Sequence, residues 1–189
     1  MPCCAQFDFS ESEFYSTKAE SVKWPVDLAL TLPKGWDSAW YSPSAKVFMK
    51  RETEGLMNLM QLRLFELPKL SANYTAQDLR REVLSRAFVE DMATMDAPSC
   101  EILEYKIISD KNPIVLEFSN TFLKGNLVGY SAARFLLLGD RHSLLLKYSF
   151  VADKKSPLIS DKKFDLKAEF MKRKSGFEKV CESLKVEPR

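Results

Sequence analysis

The feature that most constrains the fold is a run of strand-like sequence over residues 101–151, in which apolar and polar side chains largely alternate. Alternation with a period of two is typical of strands. Short turns interrupt the run at residues 110–113, 124–126 and 139–141. Consecutive strands that are joined by turns this short run antiparallel. We therefore predict a four-stranded meander made of residues 100–108, 114–122, 127–138 and 143–151.

The rest of the chain predicts three earlier strands and two helices. Apolar residues alternate along residues 24–32, and residues 46–51 form a second short strand. Residues 56–67 are apolar on both sides, which is typical of a strand that is covered on both faces, or covered on one face and bound by something on the other. Apolar residues then recur at helical spacing from the cap Thr75 to Pro98, and again from the cap Ser160 to Leu184. The order βββ-α-ββββ-α predicts an α+β fold, with an antiparallel sheet of about six to seven strands and two main helices packed on it.

The length and composition of the chain fit one domain. With 189 residues, 46% of them hydrophobic, the chain can bury one sizeable core. We expect a single α+β domain over residues 21–189, preceded by a flexible segment or tether over residues 1–20. The net charge of +2 provides no strong field, so we expect no nucleic-acid partner. No apolar stretch approaches the roughly 20 residues that cross a bilayer, so we expect a soluble protein, either cytoplasmic or tethered to a membrane outside the cytoplasm.

Two adjacent cysteines, Cys3 and Cys4, lie in the predicted tether. One hypothesis is that a lipid attached to one of them anchors the protein, which would require a signal sequence upstream. The alternative is an unmodified, frayed terminus. This anchor is the one route to a membrane that the sequence suggests.

Residues with catalytic potential are few and scattered. His142 is the only histidine and lies in a predicted turn, so any histidine-based metal site or acid–base pair must use it. A dyad of Cys100 and His142 would make a small thiol-dependent hydrolase, although nothing in the sequence places the two residues together. The sequence contains no metal-type cysteine pair and no glycine-rich nucleotide loop. We therefore predict a non-enzymatic protein with no catalytic residues, metal or cofactor.

Aromatic and methionine side chains concentrate on the first three predicted strands and the turns between them. Such side chains suit adaptable apolar recognition, and the ordinary alternative is that they form a buried core. If the helices leave one face of the sheet open, these residues form a groove that binds another polypeptide. The candidate binding residues are Trp24, Trp36, Trp40, Tyr41, Met49, Met57 and Met60.

Several features of the chain together resemble the PsbP, Mog1 and DcrB fold group over about residues 24–184. They are the Leu-Pro-Lys-Gly-Trp segment at residues 32–36, the long helix after the third strand, the Gly-Asp-Arg turn before Leu-Leu-Leu-Lys-Tyr-Ser-Phe, and the closing helix. The group consists mostly of non-catalytic proteins: photosystem II extrinsic subunits, a Ran-binding factor, bacterial envelope lipoproteins and adaptor chaperones. The resemblance implies an accessory or adaptor protein that binds another polypeptide on its sheet, with a Mog1-like GTPase-binding role as the alternative.

Overall fold

A large antiparallel sheet organises the protein. The computed structural model describes residues 7, 9–20, 24–52, 55–67, 69–95, 97, 99–161 and 164–189. Cys3 and Cys4 lie outside these residues, so the lipid anchor stays a prediction. In chain order the strands and helices are β1 (Ser12–Ser16), β2 (Val26–Pro33), β3 (Asp37–Ser42), β4 (Ala45–Arg51), β5 (Leu56–Glu66), α1 (Ala76–Val83), α2 (Arg86–Thr94), β6 (Ser99–Ser109), β7 (Ile114–Lys124), β8 (Leu127–Leu138), β9 (His142–Asp153), α3 (Pro157–Ser160), α4 (Leu166–Ser183) and β10 (Lys185–Pro188).

Within the described part of the chain, the strands form two sheets. The larger has the order β3-β4-β5-β9-β8-β7-β6, and the smaller has the order β1-β2-β10. All neighbouring strands are antiparallel. The predicted α+β class is confirmed, and β6 to β9 form the predicted meander. The strand predicted first, now β2, lies at the centre of the small sheet instead of in the large one.

The second half of the predicted N-terminal tether is part of the folded structure. β1 pairs with β2, with Phe14 opposite Thr31. Further upstream, the ring of Phe7 lies 5.1 Å from that of Trp36 and 4.9 Å from that of Tyr148. Phe7 also fills a notch in α4 at Gly176, where a Cβ atom would lie 2.3 Å from the Phe7 Cβ. Phe7, Phe9 and Tyr15 are thus partly buried against the core, which offsets the entropy lost on ordering the segment, whereas Phe14 stays exposed.

The first predicted helix is two helices. Its start is as expected, because Thr75 and Asp78 form a reciprocal capping box at the start of α1. The chain then breaks at Leu84 and Ser85, and the Ser85 hydroxyl accepts a hydrogen bond from the Phe88 amide to cap α2. A serine competes for backbone donors and so favours caps over helix interiors.

The start predicted for the last helix is also wrong. Ser160 ends the short α3. α4 begins six residues later, at Leu166, where the Asp165 carboxylate caps it by accepting a hydrogen bond from the Ala168 amide at 3.0 Å.

The large sheet is covered over most of one face and over part of the other. α4 and the small sheet pack on the first face, where alternate residues of β5 from Leu56 to Leu64 are buried. α1 and α2 pack on part of the second face, over Leu116 of β7, Phe135 of β8 and Leu145 of β9. The rest of the second face, towards β3 and β4, is not part of either core. The candidate site lies on this uncovered part of the second face.

A buried polar network holds α4 on the sheet. Arg173 of α4 is 2% exposed, and its guanidinium binds the carboxylate of Glu52 at 3.1 Å and that of Glu169 at 2.7 Å. The Asn58 side-chain amide also donates to Glu52, at 2.5 Å, and the Tyr148 hydroxyl donates to Asn58 at 2.7 Å. Burial raises the pKa of Tyr148 well above its usual value, so the hydroxyl keeps its proton.

Candidate binding groove on the open half of the sheet

The uncovered part of the second face forms a groove with a volume of about 450 Å³, which we call the sheet groove. Alternation along a strand places every second side chain on this face. The cross-strand register then brings Val47 of β4, Gln61 of β5 and Lys147 of β9 into one row. The apolar lining residues are Tyr41, Val47, Leu59, Met95, Phe122, Leu127 and Val151.

The rim of the sheet groove carries two large apolar side chains that remain in solvent. Tyr41 of β3 is 77% exposed, and Met95, which follows α2, is 45% exposed. Single exposed apolar residues are common on protein surfaces, but these two flank one concave apolar surface. Aromatic and thioether side chains in this position suit recognition of another apolar surface.

Polar groups lie among and beneath the apolar lining. Lys147 is 3% exposed, and the hydroxyls of Ser131 and Ser149 share a hydrogen bond of 2.8 Å. The side-chain oxygens of Gln61 and Asn120 are buried on this face and have no hydrogen-bond partner among the described residues. Buried acceptors of this kind are normally satisfied by water or by a bound group. The sheet groove therefore combines an apolar lining with buried polar groups beneath it.

The candidate residues from the sequence divide between the core and this groove. Trp24, Trp36 and Met60 are 4%, 8% and 0% exposed, so they are core residues and cannot form a contact surface. The two tryptophans fill the space between the two sheets, where large rings bury the most area.

Trp40 is half-buried and also faces the inner side. Its ring lies 5.6 Å from that of Trp24, and its indole N–H donates to Glu20 at 2.6 Å. The remaining candidates, Tyr41, Met49 and Met57, lie on the groove side of their strands. Tyr41 lines the sheet groove, and Met49 lies opposite Leu59, another lining residue.

Several groove residues were missed by the sequence analysis. Phe122, Leu127 and Val151 belong to the meander, and they meet the β5 residues only because β9 pairs with β5. The alternation of β5 does place Leu59, Gln61 and Arg63 on one side of the strand, so these three could be grouped from the sequence. The cross-strand partners require the three-dimensional register.

The structure separates Cys100 from His142. Cys100 pairs with Phe122, Phe122 with Gly129, and Gly129 with Val151, so the two residues lie three strands apart and at opposite ends of the sheet. The ten residues from His142 to Val151 alone span about 30 Å. A thiol–imidazole dyad of these two residues is therefore excluded. Burial raises the pKa of the other described cysteine, Cys181, to about 12, so its thiol stays protonated at neutral pH.

Neither a metal centre nor a membrane span is found in the part of the chain that the structure describes. No three histidine, cysteine, aspartate or glutamate side chains there are grouped so as to hold a metal ion. No helix among the same residues is both long and apolar enough to cross a bilayer.

Comparison with known structures confirms the predicted PsbP/Mog1-like fold. The Ran-binding protein Mog1p of Saccharomyces cerevisiae is 11% identical, with a TM-score of 0.54 over 92% of this chain and 94% of that one. LpqN, which is involved in cell envelope biogenesis of Mycobacterium tuberculosis, is 9% identical, with a TM-score of 0.55 over 96% and 95% of the two chains. PsbP of the cyanobacterium Synechocystis sp. PCC 6803 is 16% identical, with a TM-score of 0.49 over 93% and 92%.

Sequence comparison adds nothing to this. No protein-family model and no curated protein matches the chain. Identities this low show a shared fold and no more, so the function has to be argued from the surface of this protein.

Proposed function

We propose that this protein is a non-enzymatic accessory protein that binds another polypeptide in the sheet groove. The observation that carries the proposal is that the helices leave half of one sheet face open, with Tyr41 and Met95 exposed at its rim. Leaving such side chains in water costs free energy that a bound partner would recover.

The shape of the groove favours a macromolecule over a small ligand. Small-molecule sites enclose most of their ligand, whereas this groove is open along the sheet and its largest rim residue, Tyr41, stands in solvent. Tyrosine is among the residues that most often dominate protein–protein binding energy. The solved structures with this fold include a Ran-binding protein, which supports a partner-binding role. A GTPase partner remains the alternative, and it is favoured by the fold alone.

We expect Tyr41→Ser to weaken partner binding by about thirty-fold, since truncating a hot-spot residue costs about 2 kcal/mol or more. Stability should change little, because the side chain is 77% exposed. Proteins captured by wild-type and variant baits, and the affinity for each captured protein, provide the measurement.

The matched control for that experiment is Phe14→Ser, which truncates another exposed aromatic residue, 72% exposed, on β1. This variant should retain the partner. Equal retention by the wild type and Tyr41→Ser, or loss by both variants, would argue against the sheet groove as the binding site.

A further inference from the structure

We infer that the free edge of β3 binds an extended segment of the partner as an added strand of the large sheet. This inference rests on the proposed function and specifies the backbone conformation of the bound polypeptide. β3 is the last strand on its side of the sheet, next to β4. The described residues supply no backbone hydrogen-bond partner for residues 37–42 other than β4.

The edge of β3 is accessible. Asp37, Ser38, Ala39 and Tyr41 are all exposed, and Trp40 is half-buried. In an antiparallel strand, alternate residues direct their N–H and C=O groups to opposite sides, so half of these groups face away from β4. Such a row of unpaired donors and acceptors is a template for another strand.

The opposite edge of the sheet, β6, is protected in ways that β3 is not. Its pairing is interrupted at two places, between Ile102 and Glu104 and between Ile107 and Ser109. Lys174 of α4 forms an ion pair with Glu104 of β6, and the Tyr105 hydroxyl donates to the Leu84 carbonyl after α1 at 2.9 Å. Irregular pairing, charges and covering elements are the usual defences of an edge against added strands.

β3 has little of this protection. Its sequence from Asp37 to Ser42 contains one charged residue and no proline or lysine. One irregularity, between Trp40 and Ser42, limits regular pairing to residues 37–40. The edge therefore accepts a short extended segment of about four residues, typical of strand addition in peptide recognition.

The two sides of β3 define the chemistry of that segment. Ala39 and Tyr41 lie on the side of the sheet groove, so alternate side chains of the added strand on that side should be apolar and pack on them. On the other side, Ser38 is exposed and Trp40 is engaged with Glu20. The partner chemistry is thus an extended peptide in which apolar residues alternate with polar ones.

A displayed library of random 12-residue peptides, selected on the full-length protein, provides the probe. We expect the enriched sequences to alternate apolar and polar residues. A synthetic peptide from this set should bind at least about ten-fold more weakly once alternate amides are N-methylated, because methylation removes its edge hydrogen bonds. No enrichment, or apolar residues at helical spacing, would overturn the inference.

Ser38→Pro and Ala39→Pro form a matched pair, since one of the two amides faces β4 and the other faces outward. The variant that unfolds at the wild-type temperature has lost the outward donor, and it should bind the peptide at least about ten-fold more weakly. Ile108→Pro, at an unpaired position of β6, is the control and should bind like the wild type.

The outcomes separate this inference from the proposed function. If both proline variants retain the peptide while Tyr41→Ser loses it, the sheet groove binds the partner and the edge does not. If all three variants retain it, both ideas fail. Self-association that is abolished by the proline variant of wild-type stability would show that a second copy of this chain binds the edge, which would also overturn the inference.

Discussion

Replacing Arg173 with alanine should lower the free energy of unfolding by about 3–5 kcal/mol, the usual cost of removing one partner from a buried ion pair. The guanidinium is 2% exposed and neutralises Glu52, whose side chain is 6% exposed. It also lies 4.2 Å from the centre of the Phe150 ring, so the substitution removes a cation–π contact as well. Urea-induced unfolding measures the change.

Lys172→Ala is the control for this experiment. Lys172 is the neighbouring residue of α4, and it too binds Glu169, at 2.6 Å, but its side chain is 62% exposed. Exposed ion pairs contribute about 0–1 kcal/mol, so this variant should be nearly as stable as the wild type. Equal effects of the two substitutions would mean that the network around Arg173 is not a principal support of α4.

Replacing Lys46 with alanine should cost about 3 kcal/mol, because the ammonium group is desolvated and bound to both a carboxylate and aromatic rings. Its Nζ binds the Glu20 carboxylate and lies 4.7 Å from the centre of the Tyr15 ring and 5.1 Å from that of Trp40. Tyr15 and Glu20 belong to the N-terminal segment, whereas Lys46 is on β4, so the contact joins the two sheets. The loss should appear in thermal unfolding as a lower midpoint.

The same contact predicts a dependence of stability on pH. Burial raises the pKa of Glu20, but the hydrogen bonds from Lys46 and Trp40 outweigh it and hold the pKa below its usual value. A lowered folded-state pKa stabilises the protein above the unfolded value of about 4.3, and this stabilisation is lost as the pH falls through the lower folded-state pKa. When the pH is lowered from neutral to below about 4, the Glu20→Gln variant should therefore lose less free energy of unfolding than the wild type does. Parallel pH profiles of the two proteins would contradict this assignment.

The parts of the fold that were predicted correctly depend on local signals. The meander follows from turn residues at short intervals, and the Thr75 cap follows from its spacing to Asp78. The break at Ser85 was missed because the apolar spacing continues across it, so the period alone could not reveal two helices.

The parts that were missed depend on contacts between distant segments. Tryptophan is common in binding surfaces, so the sequence could not show that Trp24 and Trp36 are core residues. They are buried because the small sheet packs on the large one. Ser12–Ser16 has the sequence of a polar segment, and it forms a strand because it pairs with β2. The sheet groove likewise depends on the pairing of β5 with β9, whose residues are far apart in the chain. Of the predicted binding residues, Tyr41, Met49 and Met57 do lie on the groove side of the large sheet.

The most direct test of the central claim, that the open half of the sheet binds another polypeptide, is site-specific photo-crosslinking in the cells that produce this protein. Tyr41 and the control residue Phe14 are each replaced by p-benzoylphenylalanine, since both are exposed aromatic residues, 77% and 72% exposed, on different surfaces. The account predicts a discrete crosslinked protein from position 41 and none from position 14. No adduct at position 41, or the same adducts at both positions, would contradict it.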